Sequence, residues 1–188
     1  MTSHQNFSAL MCGLCAVVLA CDGPAFEPVA PSPAETSALL TTGWKASGHS
    51  VVQGTPVQNV QDQRYSFTAI STDASPTAKG QVEVHYVRFT GEEIMVHANV
   101  TCLSVAGEQA WVGAEVSRLV FNGAEVPDRV GVPMIFRVVD VGEGEDATDL
   151  ASLVFFPPPG GDIAHCTTRP DFPILRESAT GNIQVKSE

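Results

Sequence analysis

His85 and His97 fall on two neighbouring stretches of alternating apolar and polar residues, with a turn residue, Gly91, between them. A hairpin folded about Gly91 opposes residues whose numbers sum to 182: Tyr86 meets Val96, Val84 meets Ala98, Val82 meets Val100, Glu83 meets Asn99 and His85 meets His97. This register keeps the apolar residues on one face, and a slip of one residue would scatter them to both. Directly opposed side chains have Cβ atoms about 4.5–5.5 Å apart, so two imidazoles there would reach one transition-metal ion. They would also disfavour each other's protonation. A metal site needs a third ligand, from His49, His165 or Glu83; the alternative is a pair of sheet histidines with no ligand.

The segment from Asp140 to Asp149 gathers Asp140, Glu143, Glu145, Asp146 and Asp149 around Gly142 and Gly144. Hard carboxylate oxygens on a bent loop suit Ca²⁺. The spacing is not that of an EF-hand, and a solvated acidic turn is the alternative. Gly48-His49-Ser50-Val51-Val52 falls one residue short of G-x-S-x-G, and the strand-to-helix elbow on which that nucleophile depends is not indicated. Asn99-Val100-Thr101 spells a glycosylation sequon, read here as chance. No P-loop, dinucleotide fingerprint, zinc-hydrolase motif or catalytic Cys/His pairing occurs. No catalytic residue and no cofactor are therefore expected.

The remaining chemistry lies in the cysteines. Phe7 to Ala20 is a 14-residue apolar run, short for a membrane-spanning helix but suited to the core of a signal peptide. It ends in Val18-Leu19-Ala20-Cys21, which resembles the bacterial lipobox. That likeness implies that the Cys21 thiolate takes a diacylglyceryl group and that cleavage then frees its amine for a further acyl chain. Two or more chains give stable anchoring, at about 0.8 kcal/mol for each buried CH₂. Met1–Asn6 departs from the pattern in having no Lys or Arg. Cys12 and Cys15 leave with the leader, and two thiols remain, Cys102 and Cys166. In an oxidising compartment these are expected to bridge, closing a 65-residue loop.

These residues need elements to hold them. Residues 1–20 read as the signal peptide, 21–43 as the lipidated Cys and a tether with four prolines, and 44–188 as one domain. The chain carries a net charge of −11, with 44% hydrophobic and 16% charged residues. Such a body is globular and repels phosphate backbones, so no nucleic-acid partner is expected. Alternation predicts strands at 46–53, 64–71, 79–89, 93–105, 109–121, 132–141, 150–156 and 181–186. Turn residues separate them, among them Asn122-Gly123 and Pro157–Gly161. Sustained helical periodicity is absent after residue 44. The expected fold is all-β, an antiparallel meander of about eight strands. Pairing its first and last strands would close a small barrel and remove both edges; a two-sheet sandwich is the alternative. Trp111, Tyr86, Phe121, Phe136, Phe155 and Phe156 would fill the interior or line a ligand cavity.

Val96-His-Ala-Asn-Val-Thr-Cys-Leu103, Ala110-Trp-Val-Gly113, Val139-Asp-Val-Gly-Glu-Gly144, Leu153-Val-Phe-Phe156 and Gly181-Asn-Ile-Gln-Val185, in that order, resemble a family of uncharacterised bacterial secreted and lipid-anchored β-proteins. The resemblance implies a β-fold and an extracytoplasmic location, with Cys102, Trp111 and the Asp140–Gly144 turn as recurring features. It implies no activity. The expected function is a non-catalytic binding or structural module of the cell envelope, joined to the membrane by lipid and to an unknown envelope protein or ligand. The alternatives are a small-barrel carrier of an apolar ligand, as lipocalins are, and a metal-dependent enzyme at His85 and His97.

Overall fold

The computed structural model describes residues 43–143 and 147–187. The leader, Cys21, the tether, Glu145 and Asp146 lie outside the described residues. In chain order the strands are β1 (Trp44–Gln53), β2 (Asp62–Ser71), β3 (Lys79–Val87), β4 (Glu93–Ala106), β5 (Gln109–Phe121), the two-residue β6 (Ala124–Glu125), β7 (Pro133–Val139), β8 (Leu150–Ser152) and β9 (Leu175–Ser187). Pairing runs from β4 through β3, β2, β1, β9, β8 and β7 to β5, and β5 pairs back onto β4. Eight antiparallel strands thus form a closed up-and-down barrel, and β6 is an extra strand folded back on the end of β5.

Alternation drives this closure. β2 buries Gln63, Tyr65, Phe67, Ala69 and Ser71 and turns Arg64, Ser66, Thr68 and Ile70 outward. Side chains of a strand point alternately to the two faces, so the inward set fills the barrel. The middle is plugged by Tyr65, Phe67 and Phe136, whose ring centroids lie 5.1–6.0 Å apart.

Two bulges reset the alternation. On β4, Val100 faces Ala114 and Cys102 faces Gly113, so Thr101 has no partner on β5; on β5, Arg118 faces His97 and Val116 faces Ala98, so Ser117 has none on β4. An extra residue reverses which side the following side chains take. Beyond Thr101 the inward residues become Leu103 and Val105, and Cys102 turns to the outer wall. Beyond Ser117 they become Leu119 and Phe121, which pack against the core.

A helix, α1 (Gly161–Thr168), falls where a turn and irregular chain are predicted. Its buried residues are Asp162, His165 and Cys166, spaced so that they share one face. That face lies on the outside of β4, β5 and β7. Cys166 is disulfide-bonded to Cys102, and Thr101 Oγ1 donates to Asp162 Oδ2 at 2.7 Å. A Cβ on Gly113 would fall 2.5 Å from Cys102 Sγ and 2.9 Å from the Asp162 carbonyl oxygen; the bare glycine gives the helix room to approach. The chain after α1 continues as a strap on the wall. Trp111 Nε1 donates to the Pro170 carbonyl at 2.9 Å, Arg137 Nη1 to that of Pro173 at 3.3 Å, and Arg169 Nε to Ser104 Oγ at 2.7 Å.

The β3–β4 hairpin differs from expectation by two residues. The paired residues sum to 180: Val84 faces Val96, Glu83 faces His97 and His85 faces Met95. Gly91 is the cause. It adopts φ +89°, which suits the residue closing a three-residue loop rather than its centre. Its N–H donates to Arg88 O, and Arg88 N–H to Glu92 O, both at 2.9 Å. The turn therefore centres on Thr90.

Candidate functional site

Four connections cross one end of the barrel: β1–β2, β3–β4, the β5–β7 segment carrying β6, and the segment from β8 to β9. Each carries an exposed apolar side chain, respectively Val57, Phe89, Val130 and Phe156. Within this end lies a recess of about 380 Å³. Ile94 and Val116 line it from inward strand positions. Leu119 and Phe121 reach it because the Ser117 bulge turns them inward. Val126, Arg129 and Val132 come from the segment between β6 and β7, which runs beside β5, and Tyr86 and Phe156 contribute aromatic edges. That segment is held to β5 by Gly131 N–H to Val116 O at 2.8 Å and Val116 N–H to Val132 O at 2.9 Å. Asn122-Gly123 makes the predicted tight turn, with φ of +48° and +81°.

The recess has one polar side. Arg88 places its guanidinium carbon 5.8 Å from the Phe121 ring centroid, and Arg129 also lines the recess. Burial pushes the Tyr86 phenol up from its ordinary range, and the charges of Arg88 and Arg129 oppose that rise. Both guanidiniums therefore act on the same rim. Ion pairs among the described residues join Arg64 to Asp62, Arg118 to Glu125 and Arg137 to Asp171, and none includes Arg88 or Arg129.

Of the aromatic residues expected to fill the interior or line a cavity, Tyr86, Phe121 and Phe156 line the recess. Phe136 belongs to the central plug. Trp111 is held by the strap on the outer wall, and Phe155 stacks edge-on against Phe172 at 4.6 Å. A continuous central void is thus replaced by a plugged middle and an open mouth.

The structure separates the predicted metal pair. His85 and His97 sit diagonally across β3 and β4, and diagonal neighbours lie about 7–8 Å apart. His49 is exposed on β1 and His165 is buried in α1. Among the described residues no group of three or more His, Cys, Asp or Glu is arranged to hold a metal ion. Ser50 is buried in the barrel with its hydroxyl 2.8 Å from that of Ser178, and no elbow presents it. Asn99 is exposed on β4.

The acidic loop has a structural use. β8 pairs with β9 only over Leu175–Glu177, leaving later N–H groups on that edge of β9 with no strand to receive them. Asp149 Oδ2 accepts from Ile183 N–H at 2.7 Å and Oδ1 from Val141 N–H at 3.0 Å. Asp140 Oδ2 accepts from Val185 N–H at 3.0 Å and Oδ1 from Gly142 N–H at 2.9 Å. All four oxygens thus serve the backbone, and Glu143 is exposed. Replacing Asp149 by Ala should lower the unfolding free energy by about 2 kcal/mol, the scale of losing charge-assisted bonds to partly buried donors. Urea titration measures this. Millimolar Ca²⁺ should leave the native melting temperature unchanged; a rise would restore the calcium reading.

His165 gives the wall a pH dependence. Its Nε2–H donates to the Phe136 carbonyl at 3.1 Å, which leaves Nδ1 unprotonated, buried and without a partner among the described residues. Burial pulls its pKa down; the bond to Phe136 opposes this and nearby Arg137 adds to the fall. In the unfolded chain His165 titrates near 6.5. Above that pH both states are neutral and the native stability is complete. As pH falls below it, the unfolded chain takes up the proton first and stability drops. Native protein should therefore lose more stability between pH 7 and 5 than His165→Gln, compared by denaturant unfolding. Parallel curves would contradict the assignment.

No protein-family model, curated protein or solved structure matches the chain. The barrel's own geometry therefore carries the functional argument.

Proposed function

We propose that this chain is an exported protein, anchored by lipid at Cys21, whose barrel binds a small apolar ligand at its mouth without catalysing a reaction. The recess of about 380 Å³, walled by Ile94, Val116, Leu119, Phe121 and Val132, is the observation that carries it. Ligand sites are concave, mostly apolar and of about 300–1,000 Å³, and the recess falls within that range. The exposed apolar side chains Val57, Phe89, Val130 and Phe156 lie on the connections at this end. Two features support export: the Cys102–Cys166 bridge, a bond that persists in oxidising compartments, and the lipobox-like Val18–Cys21.

The neutral fluorophore N-phenyl-1-naphthylamine tests the binding. Its emission should rise and saturate on titration with native protein. Leu119→Trp, which grows into the recess from a half-buried position, should weaken the affinity by about tenfold or more, or 1.4 kcal/mol. A flat titration, or an unchanged affinity in Leu119→Trp, would refute the mouth as a binding site. Radiolabelled palmitate should enter the native protein in its native envelope and be lost in Cys21→Ser; equal labelling would refute the anchor.

A further inference from the structure

Resting on that reading of the mouth as a binding site, we propose that the ligand is a single-chain anionic amphiphile whose tail lies on Val116, Leu119 and Phe121 and whose head meets Arg88 and Arg129. Three observations converge. The first is charge. The chain is strongly acidic, at −11, yet two of the ten residues lining the recess are arginines, and no acidic residue lines it. The second is availability. The ion pairs among the described residues use Arg64, Arg118 and Arg137, so neither guanidinium has a carboxylate partner among them, and Arg88 shares its donors with the Tyr86 hydroxyl alone in the recess. The third is placement. Arg88 lies over the Phe121 face and Arg129 ends the turn Pro127–Arg129 of the β6–β7 connection, so both charges line a recess whose other walls are mainly apolar.

The chemistry of the head follows. A guanidinium presents a planar fork of N–H donors that matches two oxygens of a carboxylate or phosphate. The Tyr86 hydroxyl beside it adds a neutral donor. A neutral apolar ligand would use the floor and leave the arginines idle. Size limits the tail. At about 380 Å³ the recess lies near the lower bound of the range for ligand sites. That fits one short acyl chain with its head and excludes a diacyl lipid held entirely inside.

Decanoate and decanol test this on the full chain, because they share a tail and differ in charge. Isothermal titration at moderate salt should show decanoate binding about tenfold tighter than decanol, with the gap narrowing as salt screens the rim. In the double variant Arg88→Gln/Arg129→Gln, decanoate should fall to the decanol level while decanol is unchanged. The charge-conserving Arg88→Lys/Arg129→Lys variant should keep most of the preference. Equal binding of the two probes by native protein would overturn the anionic head but leave an apolar site in place. A preference that survives in the double glutamine variant would likewise overturn the assignment to these arginines. Binding of neither probe would overturn the mouth as a binding site as well.

Discussion

Cys102→Ser/Cys166→Ser is expected to unfold at a free energy about 4 kcal/mol lower than the native protein, the chain-entropy value for so long a loop. The two residues are 64 apart in sequence, so the bridge closes much of the barrel in the unfolded chain. The loss should appear in guanidinium titration as an earlier midpoint, and in melting as a fall of roughly 10–15 °C. Its structural consequence should be local first. α1 meets the wall through Asp162, His165 and Cys166, a face with little apolar area to hold it once the bridge is gone. Hydrogen exchange should therefore rise earliest across Gly161–Thr168 and along the strap to Pro173, ahead of β1 to β3. Uniform exchange through the domain would show that the helix is bound by other means.

The same polar face explains why α1 escapes a reading of the sequence. Helical periodicity is recognised by apolar residues at three- and four-residue spacing. Here those positions hold Asp162, His165 and Cys166, which read as loop chemistry until the wall they touch is known. Most strands were legible because alternation runs through much of each, as in β2 from Gln63 to Ser71. Closure was legible from the need to pair β1 with β9. Register was less so. Gly91 marks the β3–β4 turn correctly, but whether it sits at the centre or the exit depends on loop length, and the exit position moves every pair by two residues. That shift took His97 from His85 to Glu83 and with it the basis for a shared metal.

Bulges hid the rest. An unbroken alternation through Val96, Ala98, Val100 and Cys102 would aim the thiol into the barrel, and only the unpaired Thr101 turns it out towards α1. The unpaired Ser117 does the reverse for Leu119 and Phe121, turning them inward, which is how the mouth acquires its floor. The recess itself draws on residues from 86 to 156 in sequence, a conjunction that no local pattern announces. Asp140 and Asp149 were visible as acids, but the N–H groups of Ile183 and Val185 they receive lie on a strand about 35–45 residues later.

Phe136→Ala should lower stability by about 3–5 kcal/mol, the cost of truncating a wholly buried aromatic ring. Phe136 has no exposed surface and its ring contacts both Tyr65 and Phe67 of β2, so two inward rings of β2 lose their partner on β7 at once. Urea unfolding measures the change, and Phe136→Leu, which keeps most of the volume, should lose less than half as much. The same pair of variants tests whether plug and recess are separate. Phe136 does not line the mouth, so at temperatures where Phe136→Ala remains folded its affinity for N-phenyl-1-naphthylamine should equal that of native protein. Tighter binding would mean that the probe had entered a newly opened interior, making the plug part of the ligand site. Unchanged binding with a large stability loss would divide the barrel into a rigid centre that holds the strands and a mouth that meets the ligand.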